Sequence, residues 1–473
     1  MKDKDHPLPA GADHPSDHAS NASNASNASN ASNAPASLAS PSRRQLVRVV
    51  LQGAALPGVC AAFGVAGAHA ATPSAGTKTS SAASPAGDTV TVLRDFNDPY
   101  LELLRLLTVA AEIEHGLMVQ YLYAGFSVKP VYQAVAGYGA PNTNDLIGIA
   151  VQEMQHLGKV NQLLVALGAS PVMIREDFPF EPDIIPFRLH LEPMSRASLG
   201  KYVWCESPPG ATYLAQQRNP SDQAFCSMLE LALGKDQRPN FVGNLYDAVI
   251  ATVKELTATK EASLPDLLAW LPALQEIKNE GEVGHFKFFK RTFLGKHEGF
   301  GGRPDPWMLP VSDALFTAYQ LPIDPTAYAG HPNHIKDPAA QRLAWLGNLH
   351  YWTVLNLLSL GYSTGSQDLI ALSRGHMMVP FNSLARQLAK MGSGMPFDPL
   401  GQGYLSNVRN GGSVRFIRHL LAEADRLEAQ IGKDLPSDYA LGFCKATSAA
   451  LSQLEPAVRG ARAPTQPWND GLA

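Results

Sequence analysis

From about residue 95 onward, apolar side chains recur every three or four positions. Leu101, Leu104, Leu107, Ala111, Leu117 and Met118 fall on one face, the period of an amphipathic helix. A second helix is predicted over residues 145–167, with Asp145 as its N-cap and Gly168 just past its end. Residues 169–193 carry five prolines and read as a long connection. A short helix is predicted over 195–205, stopped by Ser207-Pro208-Pro209, and longer ones over 240–260 and 266–293. Further helical pattern covers 341–360, 366–391 and 413–431. No comparable run of alternating β-branched residues occurs, so the expected fold class is all-α.

The front of the chain reads differently. Residues 1–41 are polar and repetitive, with Ser-Asn-Ala recurring over 20–34, a composition too poor in apolar area to order itself. Residues 42–70 then combine the pair Arg43-Arg44, an apolar Gly- and Ala-rich run, and the small-x-small triplet Ala68-His69-Ala70. That order matches a twin-arginine export signal cleaved after Ala70, which implies a periplasmic protein. Residues 71–94 have a linker composition. The expected organisation is therefore tail, signal, linker, a helical bundle over 95–300 and a helical C-terminal region over 301–473 packed on it.

Composition narrows the classes. The chain has 473 residues, 45% hydrophobic and 17% charged, as a core-forming globule does. Its 38 basic and 42 acidic residues give a formal charge of −4, with no basic run downstream of the N-terminus, so no nucleic-acid partner is expected. Four cysteines are too few for a disulfide framework, though Cys205 and Cys226 are left open between a bridge and two buried thiols. Outside the N-terminal region no stretch of ~18 apolar residues occurs, so no membrane span is expected in the mature form.

The chemistry lies in residues that sit wrongly on their helices. Glu153-Met154-Gln155-His156 and Glu282-Val283-Gly284-His285 each place Glu and His three apart, on one face of a regular helix. Glu114 lies amid Leu107, Ala110, Leu117 and Met118, where a carboxylate is costly unless paired or metal-bound. Two Glu-x-x-His pairs with an embedded Glu on an earlier helix form the ligand pattern of di-iron and di-manganese carboxylate bundles. Imidazole and carboxylate donors suit iron or manganese, with open positions for dioxygen.

Several segments resemble the ferritin-like domain of iminophenyl-pyruvate dimer synthases. They are Ala111-Glu112-Ile113-Glu114-His115-Gly116-Leu117, the Gln152–His156 stretch, Phe178-Pro179-Phe180, Leu189-His190-Leu191-Glu192-Pro193, Tyr202-Val203-Trp204-Cys205-Glu206-Ser207-Pro208 and Asn279-Glu280-Gly281-Glu282. The resemblance covers roughly residues 95–424, and it implies a ferritin-like four-helix bundle with additional C-terminal helices. Such domains occur in the violacein and rebeccamycin pathways, which oxidatively couple tryptophan-derived imines. Ferritin-like bundles also place a Tyr seven residues after the first-helix Glu; Glu114 and Tyr121 fit, which favours Glu114 over Glu112. Relatives tend to carry Glu where Asn244 stands, so Glu206 is the expected replacement, with Asp247 behind it.

The expected metal ligands are thus Glu114, Glu153, His156, Glu206, Glu282 and His285, with Tyr121 as the catalytic side chain beside them. The expected function is a di-iron oxidoreductase, with manganese as alternative metal, acting with dioxygen or peroxide on a small organic substrate, imine- or amino-acid-derived. A homo-oligomer is compatible with this reading. The alternatives are a metal-binding, stress-protective protein without an organic substrate, and an interaction module whose metal site is vestigial. His350 and His376 are expected to be core or interface residues.

Overall fold

A computed structural model describes residues 92–138, 141–175, 188–208, 219–233, 241–260, 263–303, 305–400, 410–461 and 465–467. The tail and export signal expected over 1–70, and the linker up to residue 91, lie outside the described residues. So does Phe178-Pro179-Phe180.

Among the described residues the fold is all-α. Two isolated bridges, Val128 with Ala318 and Thr326 with His334, are the only extended pairings there. Helix α1 (Pro99–Ser127) starts where the Asp98 side chain accepts a bond from the Leu101 amide and Pro99 presets the first turn. Helix α2 (Leu146–Ala166) is capped by Asp145, whose Oδ1 accepts from the Gly148 amide at 2.7 Å. It ends at Gly168, whose φ of +85° suits glycine. Helix α3 (Arg196–Cys205) begins with a reciprocal capping box between Ser195 and Ser198. Then follow α4 (Pro220–Leu233) and α5 (Val242–Ala258).

The helix expected over 266–293 is not one regular helix. A 3₁₀ turn, Leu267–Trp270, leads into α6 (Leu271–Asn279), a π-helical turn Glu280–His285, and α7 (Phe286–Phe293). The π turn carries Gly281 and Gly284, which weaken the local preference for the tighter α geometry. Two separate helices line this leg: α5 packs along α6, and α3 along α7. Helix α1 packs on α2 and α5. The third leg of the bundle is therefore divided between α3 and α5.

The C-terminal region supplies α8 (Pro338–Thr364), α9 (Gln367–His376), a π turn Met377–Phe381, α10 (Asn382–Lys390), α11 (Asn410–Ile431) and α12 (Phe443–Gly460). The single helix expected over 366–391 is broken at this π turn, where Pro380 removes a backbone donor. Helices α4 and α12 were not evident from the pattern. Helix α8 packs against α2, and α10 against α1. One polar bond crosses the same junction, between Tyr351 Oη and His115 Nε2 at 2.6 Å. Cys205, Cys226 and Cys444 are buried and in no disulfide, so the pairing left open for Cys205 and Cys226 is not made. No described helix is long and apolar enough to cross a membrane.

Candidate metal centre

Helices α1, α2 and α3 and the π turn converge on one buried point. Glu114, Glu153, His156, Glu206 and His285 are each at most 4% exposed. Their donor atoms form two groups, Glu114–Glu153–His156 and Glu153–Glu206–His285, each within 4.8 Å. Glu153 belongs to both. Its Oε2 lies 2.9 Å from His156 Nδ1 and its Oε1 2.9 Å from His285 Nδ1.

The two halves repeat one design. In the first, the Tyr246 hydroxyl donates to Glu114 Oε1, leaving Oε2 3.4 Å from His156 Nδ1. In the second, the Tyr121 hydroxyl donates to Glu206 Oε1 at 2.6 Å, leaving Oε2 3.6 Å from His285 Nδ1. Tyr121 itself is fixed between Tyr202 and Phe289, with ring centroids 4.7 Å away in each case. Each histidine is also held from behind. His156 Nε2 lies 2.7 Å from Glu280 Oε2, and His285 Nε2 lies 3.3 Å from Gln152 Oε1. A proton on each Nε2 leaves each Nδ1 lone pair facing the centre, which is how ligating histidines are oriented.

Charge follows this layout. Burial, then the neighbouring Glu153, pushes the Glu114 carboxyl up to about 8. Burial would raise Glu153 as well, but His285 and His156 hold it well below the usual carboxylate range. Burial alone would lower His285, yet Glu153 and Glu206 push it up to about 10. His156 is raised in the same way, chiefly by Glu153 against the effect of burial. The carboxylates thus hold positive charge on both rings, the charge a metal ion supplies instead.

The residues fit a metal pair on two further observations. Glu114 Oε2, Glu153 Oε1 and His285 Nδ1 are buried and make no aligned hydrogen bond; they face only the charged groups of the centre itself, at 2.9 Å between Glu153 and His285 and 3.4 Å between Glu114 and His156. The backbone also leaves room where the donors meet: a Cβ on Gly281 would lie 2.8 Å from Glu206 Oε2, too close for an ordinary contact. The cavity between these groups measures about 10 Å³ and is lined by Glu114, Glu153, His156, Glu206, Tyr246 and Glu282 among others.

Glu282 lines that cavity without joining either donor group. The wider π turn sets it on a different face from His285, so the same-face geometry expected of a regular helix does not hold here. Its buried Oε1 makes no hydrogen bond, and it lies 3.7 Å from Lys278 Nζ and against Gly243. Asp247 is drawn off by Lys278, at 2.7 and 2.8 Å. Tyr246, Glu280 and Gln152 were missed as site residues. Tyr246 stands two residues from Asn244 in a stretch read only for carboxylates, and Glu280 lies in a segment noted only for its resemblance.

A bundle of four helical legs around a carboxylate–histidine cluster is the ferritin-like architecture. A family profile described as ferritin-like matches residues 107–294. The chain is 25% identical over 330 residues to the dichlorochromopyrrolate synthase of Lentzea aerocolonigenes. That match covers 59% of this chain and 32% of the relative, so the chain spans about a third of the relative's length. No solved structure matches. Residues 107–294 thus form a ferritin-like domain, and the chain is similar to that synthase over a stretch that includes it.

Proposed function

We propose that this protein is a metal-dependent oxidoreductase that uses a pair of iron ions, or manganese, with dioxygen or peroxide to oxidise a small organic substrate. The observation that carries the reading is the position of Glu153, shared between two donor groups that are otherwise alike. Glu114, His156, Glu206 and His285 would complete the two halves, and Glu282 would close the cavity they share. Iron held there supplies redox chemistry and open positions for dioxygen.

The chain's own residues have definite tasks in this scheme. Tyr121 keeps its proton, because burial and then the adjacent Glu206 raise its phenol well above the usual range, and it holds Glu206 in place. Tyr246 does the same for Glu114. Glu280 and Gln152 fix the two imidazole rings, and the surrounding apolar packing excludes water.

We place the organic substrate in a cavity of about 340 Å³ behind the two rings, lined by Gln152, Glu280, Gly284, Lys287, Phe288 and Arg291 among others. It lies within the ~300–1,000 Å³ usual for small-molecule sites. This cavity favours an organic substrate over simple iron sequestration. The name of the similar synthase supports a small organic molecule, and we take it to be imine- or amino-acid-derived. Export to the periplasm, inferred from residues 42–70, belongs to the same proposal.

The test is oxygen uptake by ferrous-loaded protein, with and without aromatic imino acids. Wild type should consume oxygen much faster than Glu153→Ala. Equal rates in the two would remove the proposal.

A further inference from the structure

A second set of donor side chains lies among the C-terminal helices, on elements that contribute none of the first centre's ligands. His350 of α8, Glu428 of α11 and Cys444 of α12 bring an imidazole nitrogen, a carboxylate oxygen and a sulfur within 4.8 Å of one another, all buried. The Tyr439 hydroxyl touches two of them, 2.8 Å from His350 Nε2 and 2.7 Å from Glu428 Oε1. Behind the His350 ring, its Nδ1 lies 3.0 Å from His376 Nδ1, and His376 Nε2 lies 2.9 Å from Thr447 Oγ1. A helical core filled with leucine would hold these elements together at no polar cost, so a buried chain of this kind calls for a reason.

One of the two tautomer arrangements this chain allows supplies one. Two imidazoles that meet through the same nitrogen need one donor and one acceptor. When His376 donates its Nε2 proton to Thr447, its Nδ1 accepts from His350 Nδ1–H. His350 Nε2 then turns a bare lone pair towards Tyr439, Glu428 and Cys444. The one Tyr439 proton now faces two acceptors, and a cation satisfies the acceptor left over. A histidine oriented by a partner on its other nitrogen is the usual support of a metal ligand.

We propose that His350, Glu428 and Cys444, with Tyr439 in the fourth position, form a closed structural site for one zinc ion that ties α8, α11 and α12 together. Mixed nitrogen, oxygen and sulfur donors with four positions suit zinc. Binding releases the Cys444 proton to solvent, so one thiolate and one carboxylate balance the divalent charge, while Tyr439 remains a neutral phenol. His350 and His376 are both fully buried, which favours the neutral form of each ring, so an external cation would meet no positive charge there. The first centre is the reverse case, since its carboxylates keep both histidines protonated.

Cobalt substitution in the full-length chain tests this, because thiolate–cobalt charge transfer gives a near-ultraviolet band and the first centre has no sulfur among its donor groups. The band should appear in wild type, in Glu153→Ala, which disables only the first centre, and in Cys205→Ser, which controls for the thiol beside Glu206. Cys444→Ser should lose the band and about one metal per chain. Zinc should raise the unfolding temperature of wild type and Glu153→Ala. Absence of the band from wild-type protein overturns the proposal, and that reading needs no variant to fold. Unchanged band and metal content in Cys444→Ser overturn it too. Since Glu153→Ala keeps the second site, either centre can fail without the other.

Discussion

Glu280 Oε2 sits 2.7 Å from His156 Nε2, joining residues 124 positions apart in the chain. The bond fixes both the ring plane and the nitrogen that carries the proton. Removing it by Glu280→Ala should weaken metal binding by about 10- to 100-fold, the usual effect of losing such a partner. Competition with a chelator measures it. Unchanged affinity would make Glu280 a bystander.

The tyrosine pair predicts matched but separable losses. Tyr121→Phe frees Glu206, and Tyr246→Phe frees Glu114. A hydrogen bond to a charged group is worth about 1.5–3 kcal/mol, so each change should cost about 10- to 100-fold in affinity for one ion of the pair. Glu206→Gln should weaken the same ion as Tyr121→Phe, whereas Asp247→Asn should change little, because Asp247 only anchors Lys278. Stepwise titration with ferrous iron separates these cases. Loss of both ions in Tyr121→Phe would contradict the two-half design.

Much of this centre was legible because helix signals are local. Asp145 and Ser195 mark helix starts by their side chains alone, and Glu114 stands out as a carboxylate on an apolar face. The π turn was not legible. It shifts the register within Glu280–His285 while the surrounding hydrophobic period stays intact, so Glu282 reads as the partner of His285 when it lies on another face. The division of the third leg between α3 and α5 was hidden as well. Glu206 stops one helix and Asn244 stands in another, and only tertiary packing decides which reaches the centre. Helix α12 was obscured by Pro456 inside it and by the polar Thr447, Ser448 and Ser452.

Acid should destabilise the metal-free protein through the C-terminal cluster. His350 and His376 have folded-state values below the ordinary 6.5, held there by burial. The unfolded chain takes up protons below about 6.5 that the native state refuses until about 3 for His376. The contribution of these two histidines to stability therefore falls with decreasing pH in that window, by up to about 1.4 kcal/mol per pH unit each, and is constant above it. Urea unfolding at several pH values measures the slope, which His376→Gln should flatten. An unchanged slope in that variant would refute the assignment.

Export predicts a defined mature end. Arg43-Arg44, the apolar run and Ala68-His69-Ala70 occur in the order that signal cleavage requires. Mass spectrometry of the protein recovered from periplasm should find Ala71 first, and Arg43→Lys with Arg44→Lys should block its appearance there. Unprocessed protein retaining Met1 in that fraction would be the contrary result.

The central claim is that Glu153 joins two metal positions. Iron content after anaerobic ferrous loading and desalting, compared between wild type and Glu153→Ala, tests it most directly, because any iron held elsewhere cancels in the difference. A difference of about two ions per chain is predicted, as for a carboxylate-bridged pair. No difference between the two proteins would contradict the account.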